Sequence, residues 1–230
     1  MDERSTSIGG YCGRCRLLQI ACICQYRPSI RSEVEFCLLT HAAEYRKPTN
    51  TGRLIAECLA PTQVYRWSRT EIDIDFQRSL EDSSCQYWLV YPAESTEHKD
   101  RIKPFDTSVG DSRQNGYKKH IFILLDATWQ QAVKMLRKSS CLNHLPILSL
   151  NPERLSQYSL RRASHAHHLC TVEVAIELLG LAGEKANALL LQDYFLVFSQ
   201  HYMAARSGHG VKQESESMRR LLKEQYNEVN

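Results

Sequence analysis

No stretch of this chain is apolar enough to cross a membrane as a helix. Its apolar runs never exceed five residues, as at Ile121–Leu125, against the ~20 that a spanning helix needs. The first ten residues are polar and hold no apolar core of a secretion signal, so the expectation is a cytoplasmic protein with no membrane partner. Internal repeats and low-complexity tracts are absent too, which excludes solenoid and fibrous architectures. Nor is there a large excess of one charge. The 29 Lys+Arg and 26 Asp+Glu leave +3 with His neutral, too little for net charge alone to name a partner. What is present is 230 residues, 43% apolar and 24% charged, enough to bury a sizeable core in one large domain with a small appendage.

The modest net charge hides an uneven distribution. Residues 1–66 carry nine basic and six acidic side chains, residues 67–112 five and ten, and residues 113–206 eleven and six; the remainder is balanced. Two basic lobes around an acidic strip suit a protein that meets a polyanion on one side. Ordinary surface variation produces the same pattern, so charge supports a nucleic-acid reading without founding it.

Met1–Gly10 reads as a loose leader and Tyr11–Pro28 as a Cys- and Arg-rich knuckle. Short apolar runs at Glu35–Thr40, Tyr87–Tyr91, His120–Leu125 and Pro146–Leu150 read as buried strands. Helical patterns fall at Thr51–Cys58, Thr128–Lys138, Thr171–Leu181 and Glu184–Arg206. Thr128-x-x-Gln131 has the form of a capping box right after the third strand. Pro92–Gly116 is polar and reads as a long loop. Strands alternating with helices predict an α/β fold with a mostly parallel sheet flanked by helices. The expected units are a knuckle at residues 1–30, a main domain at 31–206 and a charged tail at 207–230.

Nine cysteines, an odd number, include four within residues 12–24. A disulfide scaffold would be shorter and denser in cysteine. Cys12-x2-Cys15-x6-Cys22-x-Cys24 instead offers four thiolates to one tetrahedral ion, a closed structural Zn²⁺ site with no position left for catalysis. Buried core cysteines or redox partners are the plainer alternative. They rarely cluster between arginines such as Arg14, Arg16 and Arg27.

Three segments put polar residues where strands should end: Thr40-His41-x2-Glu44-x2-Lys47-x-Thr49-Asn50-Thr51-Gly52-Arg53, then Tyr91-Pro92-x-Glu94, then Asp126-x-Thr128-Trp129. A fourth, Leu169-Cys170-Thr171-Val172-Glu173, opens a helix. Ligands bind at the carboxyl ends of strands in open α/β sheets, so these segments point to one cleft. Together with the knuckle, and in this order over Cys12–Arg206, they resemble the DTW-domain family, named for the motif that is Asp126-x-Thr128-Trp129 here. Cys170 departs from the serine expected in the Leu-Ser-Thr pattern.

The resemblance implies a knotted fold similar to the SPOUT methyltransferases. It also implies a monomer acting as a tRNA-uridine aminocarboxypropyltransferase, a transferase of alkyl groups other than methyl. The 3-amino-3-carboxypropyl group of S-adenosyl-L-methionine would move to N3 of a tRNA uridine; bacterial members with a compact knuckle act on the variable loop. A SPOUT-type RNA methyltransferase and a non-catalytic zinc-ribbon RNA-binding protein remain as alternatives.

Uridine N3 must lose its proton before it attacks. Asp126, at a strand end, is the expected catalytic group, as base or as orienting carboxylate; a helix cap is its plain alternative. Thr51, Gly52, Tyr91, Pro92, Glu94, Thr128, Trp129, Thr171 and Glu173 are the expected cofactor-binding residues. Glu94 or Glu44 would meet the ammonium of the transferred group, and backbone N–H groups near Gly52 with Arg53 its carboxylate. Capping is the alternative for Thr51, Thr128, Thr171 and Glu173, and a core position for Trp129. Arg14, Arg16, Lys47, Asn50, Arg53, Lys134, Arg161 and Arg162 are the expected tRNA contacts, with Arg137, Lys138 and the His165–His168 tract nearby.

Overall fold

A computed structural model of the chain describes residues 7–8, 10–92, 96–105, 118–150 and 169–229. Five strands form one sheet. They are β3 (Ile30–His41), β4 (Leu59–Trp67), β5 (Cys85–Val90), β6 (Lys119–Asp126) and β7 (Ile147–Leu148), in the order β4-β3-β6-β5-β7. Every pairing is parallel. A separate antiparallel pair, β1 (Ser7–Ile8) and β2 (Tyr11–Cys12), opens the chain. β3 and β6 lie at the centre and are buried on both faces, which is why they read as continuous apolar runs rather than alternating ones.

Alternate side chains of these strands feed two cores. Phe36, Leu38, Phe122 and Leu124 pack against α1 (Gly52–Cys58), α4 (Thr171–Leu181), α5 (Lys185–Arg206) and α6 (Glu216–Val229). Cys37, Leu39, Ile121 and Ile123 pack on the opposite face against Phe76 of α2 (Ile74–Ser79) and Met135 and Leu136 of α3 (Trp129–Lys138). The result is a helix–sheet–helix sandwich. In α5, buried Ala188, Leu191, Phe195 and Phe198 recur at the helical period and supply one wall of the larger core.

The four expected strands and four expected helices are present; β3 begins five residues before its expected start at Glu35, and the other ends shift by three residues or fewer. Besides the short β1–β2 pair, three elements of the main body were not anticipated. β4 is an edge strand whose residues are mostly exposed or half-buried, so it lacks an apolar run. It also contains Pro61, which has no N–H to donate and falls where the β3–β4 register shifts. α2 is a single short turn and a half capped by Asp73, whose carboxylate accepts from the backbone N–H of Asp75 and Phe76. α6 arises in the stretch read as a charged tail: Met218 and Leu221 are fully buried, and Asp193 of α5 accepts from Ser217 and Arg220. Part of the expected Pro92–Gly116 loop is also more ordered than expected. Thr96–Arg101 form a 3-10 helix, Ile102 bridges Ile147, and Arg101 donates to the carbonyls of Leu142 and Leu145. Among the described residues no helix is long and apolar enough to cross a membrane.

Candidate functional site

The ladder between β3 and β6 ends on the pair Thr40 and Asp126. This places Asp126 at the carboxyl edge between the two central strands, on the side where β3 turns into the loop leading to α1. Asp126 is 3% exposed. Its Oδ2 accepts from Asn50 Nδ2 at 2.7 Å and its Oδ1 from Thr171 Oγ1 at 2.9 Å, so residues 76 and 45 positions away meet on one carboxylate. The other end of the Asn50 amide is also used, its Oδ1 accepting the Arg53 backbone N–H at 2.9 Å. Gly52 completes the enclosure. A Cβ there would lie 2.6–2.7 Å from the Asp126 carboxyl atoms, closer than any real contact, so this approach requires glycine. The Thr-Asn-Thr-Gly segment and the Asp-x-Thr-Trp segment thus converge as expected.

Burial pushes the Asp126 carboxyl above its ordinary value, and the charge of Glu44 pushes the same way. The bonds from Asn50 and Thr171 pull it back. Glu44 is itself 1% exposed and accepts from Lys47 Nζ at 2.5 Å. The Glu44 and Asp126 carboxylates lie near enough to act on each other's charge, a setting that favours a cationic ligand. Thr40 faces both Asp126 and the Tyr45 hydroxyl, whose pKa is raised mainly by burial. Thr40 opens the first strand-end segment but was given no role there, and Tyr45, in the same segment, was missed in the sequence.

At the neighbouring strand end, Tyr91 and Trp129 stack with ring centroids 5.4 Å apart and planes at 21°, and His98 meets Tyr91 edge-on. Pro92 beside Tyr91 is half-buried. Trp129 therefore has an aromatic partner already and is half-buried, neither a plain core residue nor an open platform. Thr128 is exposed, and both its N–H and its hydroxyl donate to Gln131 Oε1, at 3.0 and 2.8 Å. Glu173 is buried and accepts the Cys170 N–H at 2.8 Å. Both act as caps in the geometry present. Thr171 gives its hydroxyl to Asp126 instead, and Thr51, also buried, faces the Cys170 thiol, which burial raises well above its usual range.

The expected RNA contacts divide. Arg14 and Lys134 are exposed. Arg16 is exposed, with its guanidinium on the Tyr45 carbonyl at 2.7 Å, and Lys47 is held by Glu44. Asn50 and Arg53, also expected on RNA, have polar groups engaged within the protein. Asn50 is drawn in by the Asp126 carboxylate. Arg53 donates to the carbonyls of Cys15 and Pro48 and lies over the Phe198 ring at 5.3 Å, because a carbonyl and an aromatic face repay part of the cost of burying its stem. Glu94, Arg161, Arg162 and the His165–His168 tract lie outside the described residues.

In the knuckle, the Sγ atoms of Cys12, Cys15, Cys22 and Cys24 all fall within 4.8 Å of one another. Cys12 and Cys24 are 3.6 Å apart, Cys15 and Cys22 3.7 Å. Tetrahedral zinc with bonds of about 2.3 Å separates its sulfurs by about 3.8 Å, so the donor set fits. Burial, with the neighbouring cysteines adding to it, raises the Cys15 thiol to about 11 and Cys24 further still. A divalent cation reverses that penalty by stabilising thiolates.

A family model described as "DTW domain" matches residues 9–203. The chain is 26% identical over 177 residues to tRNA-uridine aminocarboxypropyltransferase 2 of Drosophila melanogaster, a match covering 74% of this chain and 65% of that protein. The chain thus spans just under two thirds of that relative's length. No solved structure matches.

Proposed function

The chain belongs to the DTW-domain family, and from that premise we propose that it is a tRNA-modifying enzyme moving the aminocarboxypropyl group of S-adenosyl-L-methionine to N3 of a uridine. The observation that carries the reading is the enclosed Asp126 carboxylate. Pure RNA binding has no use for a buried carboxylate braced by Asn50, Thr171 and a side-chain-free approach at Gly52. The cytoplasm is the proposed location, and a monomer the proposed state. The knotted, SPOUT-like form of the sheet is part of the same proposal, supported by five parallel strands with helices on both faces. So is the division into a knuckle at 1–30, a catalytic domain at 31–206 and a tail at 207–230.

When bound, S-adenosyl-L-methionine supplies an electrophilic sulfonium carbon. Glu44 and Asp126 would favour its positive charge, and Tyr91 with Pro92 and Trp129 would form the apolar side of the cleft. Gly52 keeps the loop close to Asp126 and leaves no side chain in the way. Asp126 is proposed as the orienting and charge-stabilising group: it holds Asn50 and Thr171 and compensates positive charge nearby. The carboxylate has lone pairs beyond these bonds, so it would also be able to take the N3 proton of uridine as N3 bonds to the carbon, the sulfonium C–S bond breaks and the neutral thioether leaves. Zn²⁺ in the four thiolates would have no part in the chemistry, since a closed tetrahedral set leaves no position for substrate.

The test is mass spectrometry of tRNA nucleosides after incubation with the protein and S-adenosyl-L-methionine. An aminocarboxypropyl adduct on uridine is expected. A methyl adduct would replace this reading with a methyltransferase, and no adduct together with no cofactor binding by calorimetry would leave an RNA-binding protein.

A further inference from the structure

The end of β4 carries cationic and aromatic side chains that the proposed reaction does not use. Arg66, Trp67, Ser68 and Arg69 leave the sheet at the same edge as Asp126. Trp67 is the register partner of His41, and the preceding residue Thr40 pairs with Asp126. With strands about 4.8 Å apart, β4 lies only about 10 Å across the edge from β6. The Trp67 ring is fixed in place, stacked on His41 at 5.4 Å and 23° and donating from Nε1 to Ser139 Oγ at 3.0 Å. It lines a groove of about 230 Å³ that also takes in Arg66, Arg69, Thr70 and Lys138.

Arg66, Arg69, Lys134 and Lys138 are exposed, and among the described residues none of the four forms an ion pair. Lys134 is near enough to His41 that its charge, after burial, helps to lower the His41 pKa. Two acidic residues share the groove lining. Asp73 is engaged in capping α2, at 3.1 Å to both N–H groups, whereas Glu71 is exposed and opposes the cations. Linear position hides this cluster, because Arg69 falls inside the acidic segment 67–112 and shares the groove with Lys138, one turn after Lys134 on α3, only through folding.

We propose that this groove is an RNA-contact site that grips the tRNA strand beside the modified nucleotide. The four cations would meet phosphates, and the Trp67 wall would take an unpaired base. Cations interleaved with a rigid aromatic, in a concavity one strand away from the reacting edge, fit single-stranded nucleic acid: its phosphates bind by charge and its bases by stacking. The proposal rests on tRNA being the substrate.

The experiment measures tRNA affinity against salt concentration for the full-length wild type, Arg66→Ala with Arg69→Ala, Arg66→Lys with Arg69→Lys, and Glu71→Gln, with S-adenosyl-L-methionine binding followed by calorimetry. Losing two phosphate contacts should weaken tRNA binding roughly 5–50-fold near physiological salt and flatten the log–log salt slope by about 1.4–1.8. The lysine pair should keep the slope, and Glu71→Gln should tighten binding a few-fold. Cofactor binding should be unchanged throughout. Wild-type binding retained with the same affinity and slope in the alanine pair overturns the groove and leaves the enzyme reading intact. A wild type that does not bind tRNA at all overturns both.

Discussion

The cysteine knuckle and the Asp126 cleft reach comparable burial by opposite routes. The knuckle draws four thiols from residues 12–24, so tight turns alone bring them together. The cleft brings Asn50, Gly52, Asp126 and Thr171 from three separate elements, and only the assembled sheet puts Asn50 and Thr171 within 3 Å of the Asp126 carboxylate with Gly52 lying against it. The first is a local constellation that a metal could finish; the second is a tertiary one that no ligand could assemble by itself. The two are nevertheless joined. Arg53, whose N–H is held by Asn50, donates to the Cys15 carbonyl, and Arg16 in the knuckle donates to Tyr45 in the cleft loop. Cys12, Cys15, Leu17, Ile23 and Tyr26 also share the core packed against α5 and α6.

The strongest test of that joining is to remove the metal site. Cys22→Ala with Cys24→Ala should release about one zinc per chain. Because the knuckle is part of the main core, urea unfolding should show a loss of more than about 4 kcal/mol. Zinc retained in elemental analysis would sink the metal assignment. Zinc lost with unchanged stability would make the knuckle an appendage and break the comparison.

Asp126→Asn acts on the cleft alone. Turnover should fall roughly 10²–10⁴-fold, the range for losing a catalytic charge or base. Stability at neutral pH should change by only about 1 kcal/mol, because the Thr171 hydroxyl can reverse its role and accept from the new amide. Near-normal turnover in a folded, cofactor-binding variant would reduce Asp126 to a structural brace. The same pair yields a pH test. The folded Asp126 pKa is raised above the unfolded value, so the folded state holds its proton more tightly. The stability this provides is full below the unfolded pKa of about 3.9 and is lost as pH rises through the folded value. Melting temperatures should therefore favour the wild type over Asp126→Asn most at acid pH, the advantage shrinking toward neutrality. A constant difference from acid to neutral pH would contradict the raised pKa.

Gly52→Ala should cost about 1–3 kcal/mol, since its methyl group would fall on a carboxylate pinned from two sides. Calorimetry should show weakened S-adenosyl-L-methionine binding as the loop withdraws. Unaltered melting and binding would mean the loop yields freely. The smallest effect is expected from Lys134→Ala on the exposed face of α3. Its stability should stay within about 0.5 kcal/mol, while tRNA affinity drops modestly in a salt-dependent way.

Strands β3, β5 and β6 were legible because central parallel strands are apolar on both faces, and the start of α3 because Thr128 and Gln131 form a recognisable cap. β4 escaped because an edge strand faces solvent. α6 escaped because only Met218 and Leu221 of a charged stretch are fully buried. The segments of the cleft were found, yet the direction of individual side chains was not. Asn50 and Arg53 look like surface polar residues until the Asp126 carboxylate and the Cys15 carbonyl are placed beside them.

What the sequence by itself determined is whatever depends on near neighbours: the thiol spacing, the helix caps, the apolar runs and the ordered motifs that mark the family. Only the tertiary structure decided which polar groups face inward, that Gly52 lies against Asp126, and that Arg66 and Arg69 join Lys134 and Lys138 along one edge. The physical reason is that hydrogen bonds, close contacts and electrostatic fields act over a few ångströms of space. Distance along the chain predicts that separation within a turn or a helix, but not across parallel strands joined by long crossovers.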